Sequence, residues 1–353
     1  MEGAAYTVGA TQNISIRSSS VVRQMGGEAF VDATVRRIIV EKGRVAGVCV
    51  SKTSELAKNP DAPVYTIRSK NVVCATSIYN LYNKLLPQDL PVVQEFKTPQ
   101  KRTVRQSNGH VFLFCKIQGT PEEIGLPEHN LWYFNSYDMD EAFDEYFADP
   151  VNHRPPTVYI GFPCTKDPSW KKRFPRVSNA VLISDGLYEW FQKWEGKPVH
   201  NRGADYEEFK AKLEKHLLDI LYESVPQVKG KVSFHMVGTP LSEVTYLSSF
   251  RGGSYGTMCT PQMFAPENRN WTTTPYTPVP GLFLAGSDAF LPAVCGAMYG
   301  GCFGAAAVLG QFGTIRMIVA FLGHFAATLK EENPKLSWPR AYQLAFQKFV
   351  SDT

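Results

Sequence analysis

Apolar and polar positions alternate early in this chain. Val35-Arg36-Arg37-Ile38-Ile39-Val40 and Arg44-Val45-Ala46-Gly47-Val48-Cys49-Val50 flank Glu41-Lys42-Gly43. Two such runs around a short glycine turn predict a β-hairpin. Before it, Ser15–Met25 reads as a helix closed by Gly26-Gly27, since glycine takes the left-handed stop conformation at little cost. Ala29–Val35 is strand-like. Val64–Ser69 is a further strand candidate, and Asn71-Val72-Val73-Cys74-Ala75-Thr76 is a short continuous apolar run ending in small residues, the pattern of a buried parallel strand.

The pattern changes from about Asn80 to Val237. Gly109–Ile117, Thr157–Phe162 and Asn179–Ser184 read as strands joined by proline-rich connectors, with helices between them. In Asp205–Val225, Phe209, Leu213, His216 or Leu217, and Ile220 or Leu221 recur at helical spacing, acids fill the first turn and Pro226 stops the helix. Trp132, Tyr133, Phe134, Tyr137, Phe143, Tyr146, Phe147 and Tyr159 suit either an apolar pocket or an ordinary core, and taken singly each reads as core. Asp138, Asp140, Glu141, Asp144 and Glu145 are spaced as the solvated face of a helix. His110, His216 and His235 fall in strand or helix patterns and read as structural.

Composition narrows the classes. With 353 residues, 44% hydrophobic and 20% charged, the chain has the length for roughly two globular domains. A net charge of +4 without a dominant Lys/Arg run gives no argument for nucleic acid. Seven cysteines without a CxxC pair lack zinc-ribbon spacing, so no metal site is expected, and most sit among apolar neighbours as small hydrophobes.

The glycine-rich stretches carry the chemistry. Arg251-Gly252-Gly253-Ser254-Tyr255-Gly256 permits close backbone approach to a planar or anionic ligand. Gly281-Leu282-Phe283-Leu284-Ala285 reads as a short buried strand, with Gly286 and Asp288 at its carboxyl end, where open α/β sheets bind ligands. A Gly/Ala-rich helix from about Gly296 follows, and its N-terminus favours anionic oxygens.

These segments resemble the flavin-dependent carotenoid desaturase and isomerase superfamily. Within it, Lys166-Asp167-Pro168-Ser169-Trp170, Tyr188-Glu189-Trp190-Phe191 and Asp205-Tyr206-Glu207-Glu208-Phe209-Lys210 resemble the retinol saturase branch. The resemblance implies an α/β (α+β mixed) fold: a truncated FAD-binding Rossmann-like domain (residues 1–80 and 245–312), a substrate domain on a mixed β-sheet (81–244) and C-terminal helices (313–353). It implies FAD as cofactor and NAD(P)H as a candidate electron donor. Val35 would offer its backbone to the adenine, Gly286 and Asp288 would lie by the pyrophosphate and ribityl chain, and Gly296, Ala297 and Met298 would lie under the isoalloxazine. Gly253, Tyr255 and Gly256 would line the flavin near the substrate, with Tyr255 and Tyr299 as candidate proton donors. The implied reaction saturates or isomerises a C=C bond of a retinoid or carotenoid. Its alternatives are a carotenoid desaturase, or an inactive fragment that binds a lipid or a partner.

The sequence departs from the superfamily in having no GxGxxG turn, so it reads as beginning after the first part of the FAD domain. Residues 312–329 form an apolar stretch, but only 13 residues separate Arg316 from Lys330, short of the ~20 a spanning helix needs. A buried terminal helix or an interfacial one is expected, the latter as peripheral membrane association. Ser337–Val350 reads as a short amphipathic helix. The resemblance implies an endoplasmic-reticulum or plastid membrane.

Overall fold

The computed structural model describes residues 6–98 and 104–351, without the side chains of 349–351. The described residues divide into two compact units: 33–98 and 104 with 259–351, and 6–32 with 105–258.

The first unit opens on the hairpin. β1 (Ala33–Glu41) and β2 (Arg44–Lys52) are antiparallel, and Lys42 and Gly43 both have positive φ, 52° and 74°. Two left-handed residues in a two-residue loop match the twist of the flanking strands. β3 (Tyr65–Arg68) pairs with β2, leaving β1 at the edge of a three-stranded sheet. The apolar run at Val72 becomes β4 (Val72–Cys74), which lies parallel to the last strand of the unit, Leu282–Leu284. The expected short parallel strand is therefore present, with its partner some two hundred residues downstream, but it is not buried throughout: Cys74 is, while Val73 is exposed. Beside it, Tyr82 stacks on Phe96 at 4.5 Å, and Trp271 meets both rings edge-on at 5.3 Å.

After the Leu282–Leu284 strand the chain turns through Gly286 (φ 79°) into a 40-residue helix, Ala293–Glu332, interrupted at Gly310 (φ 69°, ψ −173°). The Gly/Ala-rich helix and the apolar stretch at 312–329 are thus two arms of one element. Counting from Arg316 hid its length, because apolar residues continue on the N-terminal side of that arginine. Among the described residues this one helix is long and apolar enough to cross a membrane, and its most apolar window is not buried. Its first arm packs through glycines. A β-carbon at Gly300 would lie 2.0 Å from the Gly286 carbonyl oxygen, and one at Gly304 2.7 Å from that of Leu284. The second arm meets the Trp338–Ser351 helix through Ala326, Ala341 and Ala345.

The second unit is built on a five-stranded sheet: β5 (Gly109–Gln118), β6 (Leu131–Phe134), β7 (Thr157–Gly161), β8 (Val177–Gly186) and β9 (Val232–Gly238), in the order β6-β7-β8-β5-β9. The mixed α/β class stands, but every pairing in this sheet is antiparallel. The Ala204–Ser224 helix lays Leu213, Leu217, Ile220 and Leu221 against Val111, Leu113, Ile117, Val158, Ile160 and Leu182 on one face of the sheet. Burying each such side chain contributes roughly 1.5–3 kcal/mol. The Gln12–Gln24 helix belongs to this unit, and just before it the Gly9 N–H donates to the buried Asp167 carboxylate. Burial pushes the Asp167 carboxyl up. Hydrogen bonds from Ser169, Gly9 and Arg173 outweigh that and hold it at about 2.

The glycine stripe predicts a contrast between neighbours. Gly300→Ala drives a β-carbon into the Gly286 carbonyl and should cost about 2 kcal/mol or more, read as a fall in unfolding midpoint. Gly301, where an added β-carbon would meet nothing within 4 Å, should accept alanine with a gain of about 0.5–1 kcal/mol from helix propensity.

Candidate functional site

In the first unit the residues singled out from sequence gather around two backbone features. Val35 is exposed on the edge strand β1, at a β-bulge where the register jumps from Val35–Val50 to Arg37–Cys49. A bulge on an edge strand interrupts the ladder and leaves peptide groups open to a ligand. The second feature is the start of the long helix. It begins at Ala293 rather than at Gly296, behind Pro292, and no side chain caps it. The free first-turn N–H groups are therefore those of Ala293, Val294 and Cys295, while Gly296, Ala297 and Met298 lie one turn in. Gly296 is buried, where a β-carbon would sit 2.1 Å from the Leu291 carbonyl oxygen. Met298 and Tyr299 are 59% and 52% exposed. The Tyr299 ring meets Phe290 edge-on at 6.1 Å.

Asp288 is placed differently from a residue awaiting a ligand. It is 5% exposed, and its carboxylate accepts from the Ile78 N–H at 2.9 Å, which caps the helical turn after β4. Its main-chain carbonyl accepts from the Thr272 hydroxyl and the Thr273 N–H, each at 2.9 Å. Asp288 thus ties three segments of the first unit together.

The first unit fits one stretch of a flavin nucleotide through its backbone: an open bulge at Val35, a left-handed glycine at the carboxyl end of a parallel strand, and uncapped N–H groups at the helix start. One oxygen of the Asp288 carboxylate, Oδ2, already accepts from the Ile78 N–H.

Gly253, Tyr255 and Gly256 belong to the second unit, where residues 254–258 run alongside 105–108. Ser107 N–H donates to Gly256 O at 2.8 Å, Ser254 N–H to Asn108 O at 3.2 Å and Met258 N–H to Arg105 O at 2.8 Å. The protein itself uses these glycines. A β-carbon at Gly253 would lie 1.9 Å from Gln106 Nε2, and Gly256 has φ 71°. Tyr255 is 45% exposed, its N–H donates to Ser107 Oγ at 3.1 Å, and its ring meets His110 edge-on at 5.2 Å.

Sequence reasoning missed what lies around His110. Strand alternation puts His110, Phe112 and Phe114 on the face of β5 that the Ala204–Ser224 helix does not cover. Across the strands, Phe112 pairs with Ile183, Ile183 with Tyr159, and Tyr159 with Trp132, forming an apolar row on that face. Trp132 and Phe134, at alternate positions of β6, are exposed, as is Tyr137 beyond it, whereas Tyr146, on the Met139–Ala148 helix, is core. One step along, His110 pairs with Asp185. Burial lowers the His110 pKa, with Asp185 opposing, and burial raises that of Asp185, with His110 opposing. His110 Nδ1 lies 2.6 Å from Ser254 Oγ, which lies 2.8 Å from both carboxylate oxygens of buried Glu243. Burial pushes the Glu243 carboxyl up to about 7, against hydrogen bonding from Ser254 and from the His110 backbone. The local signal was the polar trio itself, but its members stand 144 and 11 positions apart.

Comparison with known proteins defines the class first. The chain is homologous to oxidoreductases, although no protein-family profile matches it. It is 31% identical over 321 residues to human all-trans-retinol 13,14-reductase, covering 88% of this chain and 50% of that protein. Prolycopene isomerase of carrot chloroplasts is 23% identical over 290 residues, covering 82% of this chain and 41% of that one. Cyclohexylamine oxidase of Brevibacterium oxydans superposes with a TM-score of 0.48 and 16% identity, covering 85% of this chain and 52% of that structure. By sequence, the chain falls in the family of the all-trans-retinol 13,14-reductases. It spans about half the length of the curated relatives it matches.

The placement of Asp288 has a measurable consequence. Asp288→Ala orphans the buried Ile78 N–H and should lower the stability of the first unit by about 1–3 kcal/mol in urea unfolding. Met298→Ala at the exposed helix surface should stay within about 0.5 kcal/mol of the parent.

Proposed function

We propose that this chain is part of an FAD-dependent oxidoreductase that saturates, or isomerises, a C=C bond of a retinoid or carotenoid. The observation that carries the reading is its 31% identity, over 88% of its length, to proteins named all-trans-retinol 13,14-reductase. Two features of the molecule support it: the backbone-lined strand–turn–helix of the first unit, and the half-buried apolar row of the second.

In this reading the bulge at Val35 presents peptide groups to an adenine edge. Gly286 allows the chain to pass close to a ligand, and the N–H groups of Ala293, Val294 and Cys295 favour anionic oxygens. A bound flavin supplies hydride chemistry that amino-acid side chains lack. The Asp288 carboxylate holds the local fold through the Ile78 N–H. The row Phe112–Ile183–Tyr159–Trp132 offers a flat apolar surface, the complement of a conjugated hydrocarbon, which gains by leaving water. Tyr255 and Tyr299 stand as proton-donor candidates in separate units, each with its ring partly exposed. The electron donor in this proposal is a reduced nicotinamide nucleotide.

The decisive measurement is flavin absorbance after reconstitution with FAD and desalting. The 353-residue chain is compared with a version extended by the GxGxxG segment of a relative. Flavin retained by the extended form, with conversion of all-trans-retinol to a product lacking one double bond, is the expected result. Retention by neither form overturns the assignments at Val35 and Gly286.

The same proposal includes a membrane surface as partner. The long helix exposes Phe312, Ile315, Val319 and Phe321 on its second arm, and an apolar substrate enters most readily from lipid. In vesicle flotation the chain should rise with phosphatidylcholine liposomes. Replacing Phe312 and Val319 together by serine should at least halve the bound fraction.

A further inference from the structure

The second unit holds a polar chain that the proposed reaction does not otherwise use. Glu243 sits on the Pro240–Leu247 helix, buried, and its two carboxylate oxygens both meet Ser254 Oγ at 2.8 Å. The same Oγ lies 2.6 Å from His110 Nδ1. A hydroxyl donates one proton and accepts another, so it passes a proton in either direction according to which neighbour holds one. Among the described residues no hydrogen bond is made to His110 Nε2, and His110 shares its strand face with Phe112, 5.9 Å away ring to ring. Close by, both polar atoms of the Gln106 side chain are buried without a hydrogen-bond partner, against Gly253. Buried unpaired amides are rare unless a ligand or water completes them.

We propose that Glu243, Ser254 and His110 form a proton relay, in which a proton stored on Glu243 is delivered at His110 Nε2 on the open apolar face. The transfer balances. Beforehand, Glu243 is a carboxylic acid donating to Ser254 Oγ, Ser254 donates to His110 Nδ1, and His110 carries its proton on Nε2. When Nε2 releases that proton to an acceptor, Nδ1 takes the proton of Ser254 and Oγ takes that of Glu243. Glu243 ends as carboxylate, His110 ends neutral as its other tautomer, and one proton has left. Burial suits both end groups to this work, since it holds Glu243 protonated up to about pH 7 and disfavours a charged His110. Asp185, across the β5–β8 pair, faces His110 from the other side, and its charge, when present, opposes the neutral imidazole. The inference rests on the proposed reaction only for what accepts the proton: saturation of a C=C bond requires one proton besides the hydride. His110 is then the donor, and Glu243 and Ser254 are positioning residues.

The test is a pH titration of the histidine 13Cε1 signals in the purified chain, without flavin or retinoid, with His110→Gln identifying the resonance. The expected profile shows a second inflection at the Glu243 ionisation besides His110's own. Glu243→Gln holds that position neutral at every pH, so it should abolish that inflection while leaving His110's own in place. In a Ser254→Ala background the Glu243-dependent inflection should fall to less than about a third of its amplitude. An equal amplitude in both backgrounds, or no second inflection in either, overturns the relay. If Glu243→Gln does not fold, Ser254→Thr, which keeps Oγ, must retain the second inflection and Ser254→Ala must lose it; identical curves overturn the proposal. Because no cofactor is present, failure here leaves the proposed reaction standing, and failure of the flavin measurement leaves the relay standing.

Discussion

Backbone meeting backbone, with no room for a β-carbon between, is the constraint on which each unit depends. In the first unit Gly300 sits against the Gly286 carbonyl, and Gly304 against that of Leu284, which seats the long helix directly on the turn and strand that precede it. In the second, a β-carbon at Gly109 would lie 2.5 Å from the Gly252 carbonyl oxygen, and one at Gly252 2.6 Å from that of Pro240. That approach lets residues 254–258 run beside 105–108 and brings Ser254 within reach of both His110 and Glu243. A single methyl group at these points would separate groups whose chemistry depends on contact at hydrogen-bond distance.

The five-stranded sheet uses its two faces differently. One carries Val111, Leu113 and Ile117 into a closed core beneath the Ala204–Ser224 helix, and this face supplies most of the unit's stability. The other combines a half-buried apolar row, exposed at Trp132, with a buried set of ionisable groups at its edge. Desolvation by the protein is what raises the Glu243 carboxyl and lowers the His110 imidazole, so the packing and the proposed chemistry have one cause.

The local pattern made much of the fold readable. The hairpin around Lys42-Gly43, the parallel strand at Val72–Cys74 and the helix over Ala204–Ser224 all follow from periodicity and turn chemistry, which act over a few residues. The length of the Ala293–Glu332 helix did not, because Arg316 interrupts the apolar count without interrupting the helix. Composition marked Trp132 and Tyr146 as equivalent aromatics, while strand parity and helix packing send one to the surface and the other to the core. The glycines at 252–256 signalled close approach correctly, but what approaches them is the chain itself. His110 was readable as a strand residue and no more, since its meaning comes from Ser254 and Glu243, delivered by segments far along the sequence.

The pairing of Val72–Cys74 with Leu282–Leu284 bears on how the chain is made. All five strands of the second unit's sheet have been synthesised by residue 258, and each pairs antiparallel with partners already on hand. In the first unit β1, β2 and β3 pair among themselves early, but β4 stays without its partner until the ribosome has added the distant strand. Contacts of such sequence separation form late and slowly. On a growing chain the inner unit therefore folds first, and the exposed β4 edge, with Val73 on its surface, is the segment most in need of a chaperone in the interval.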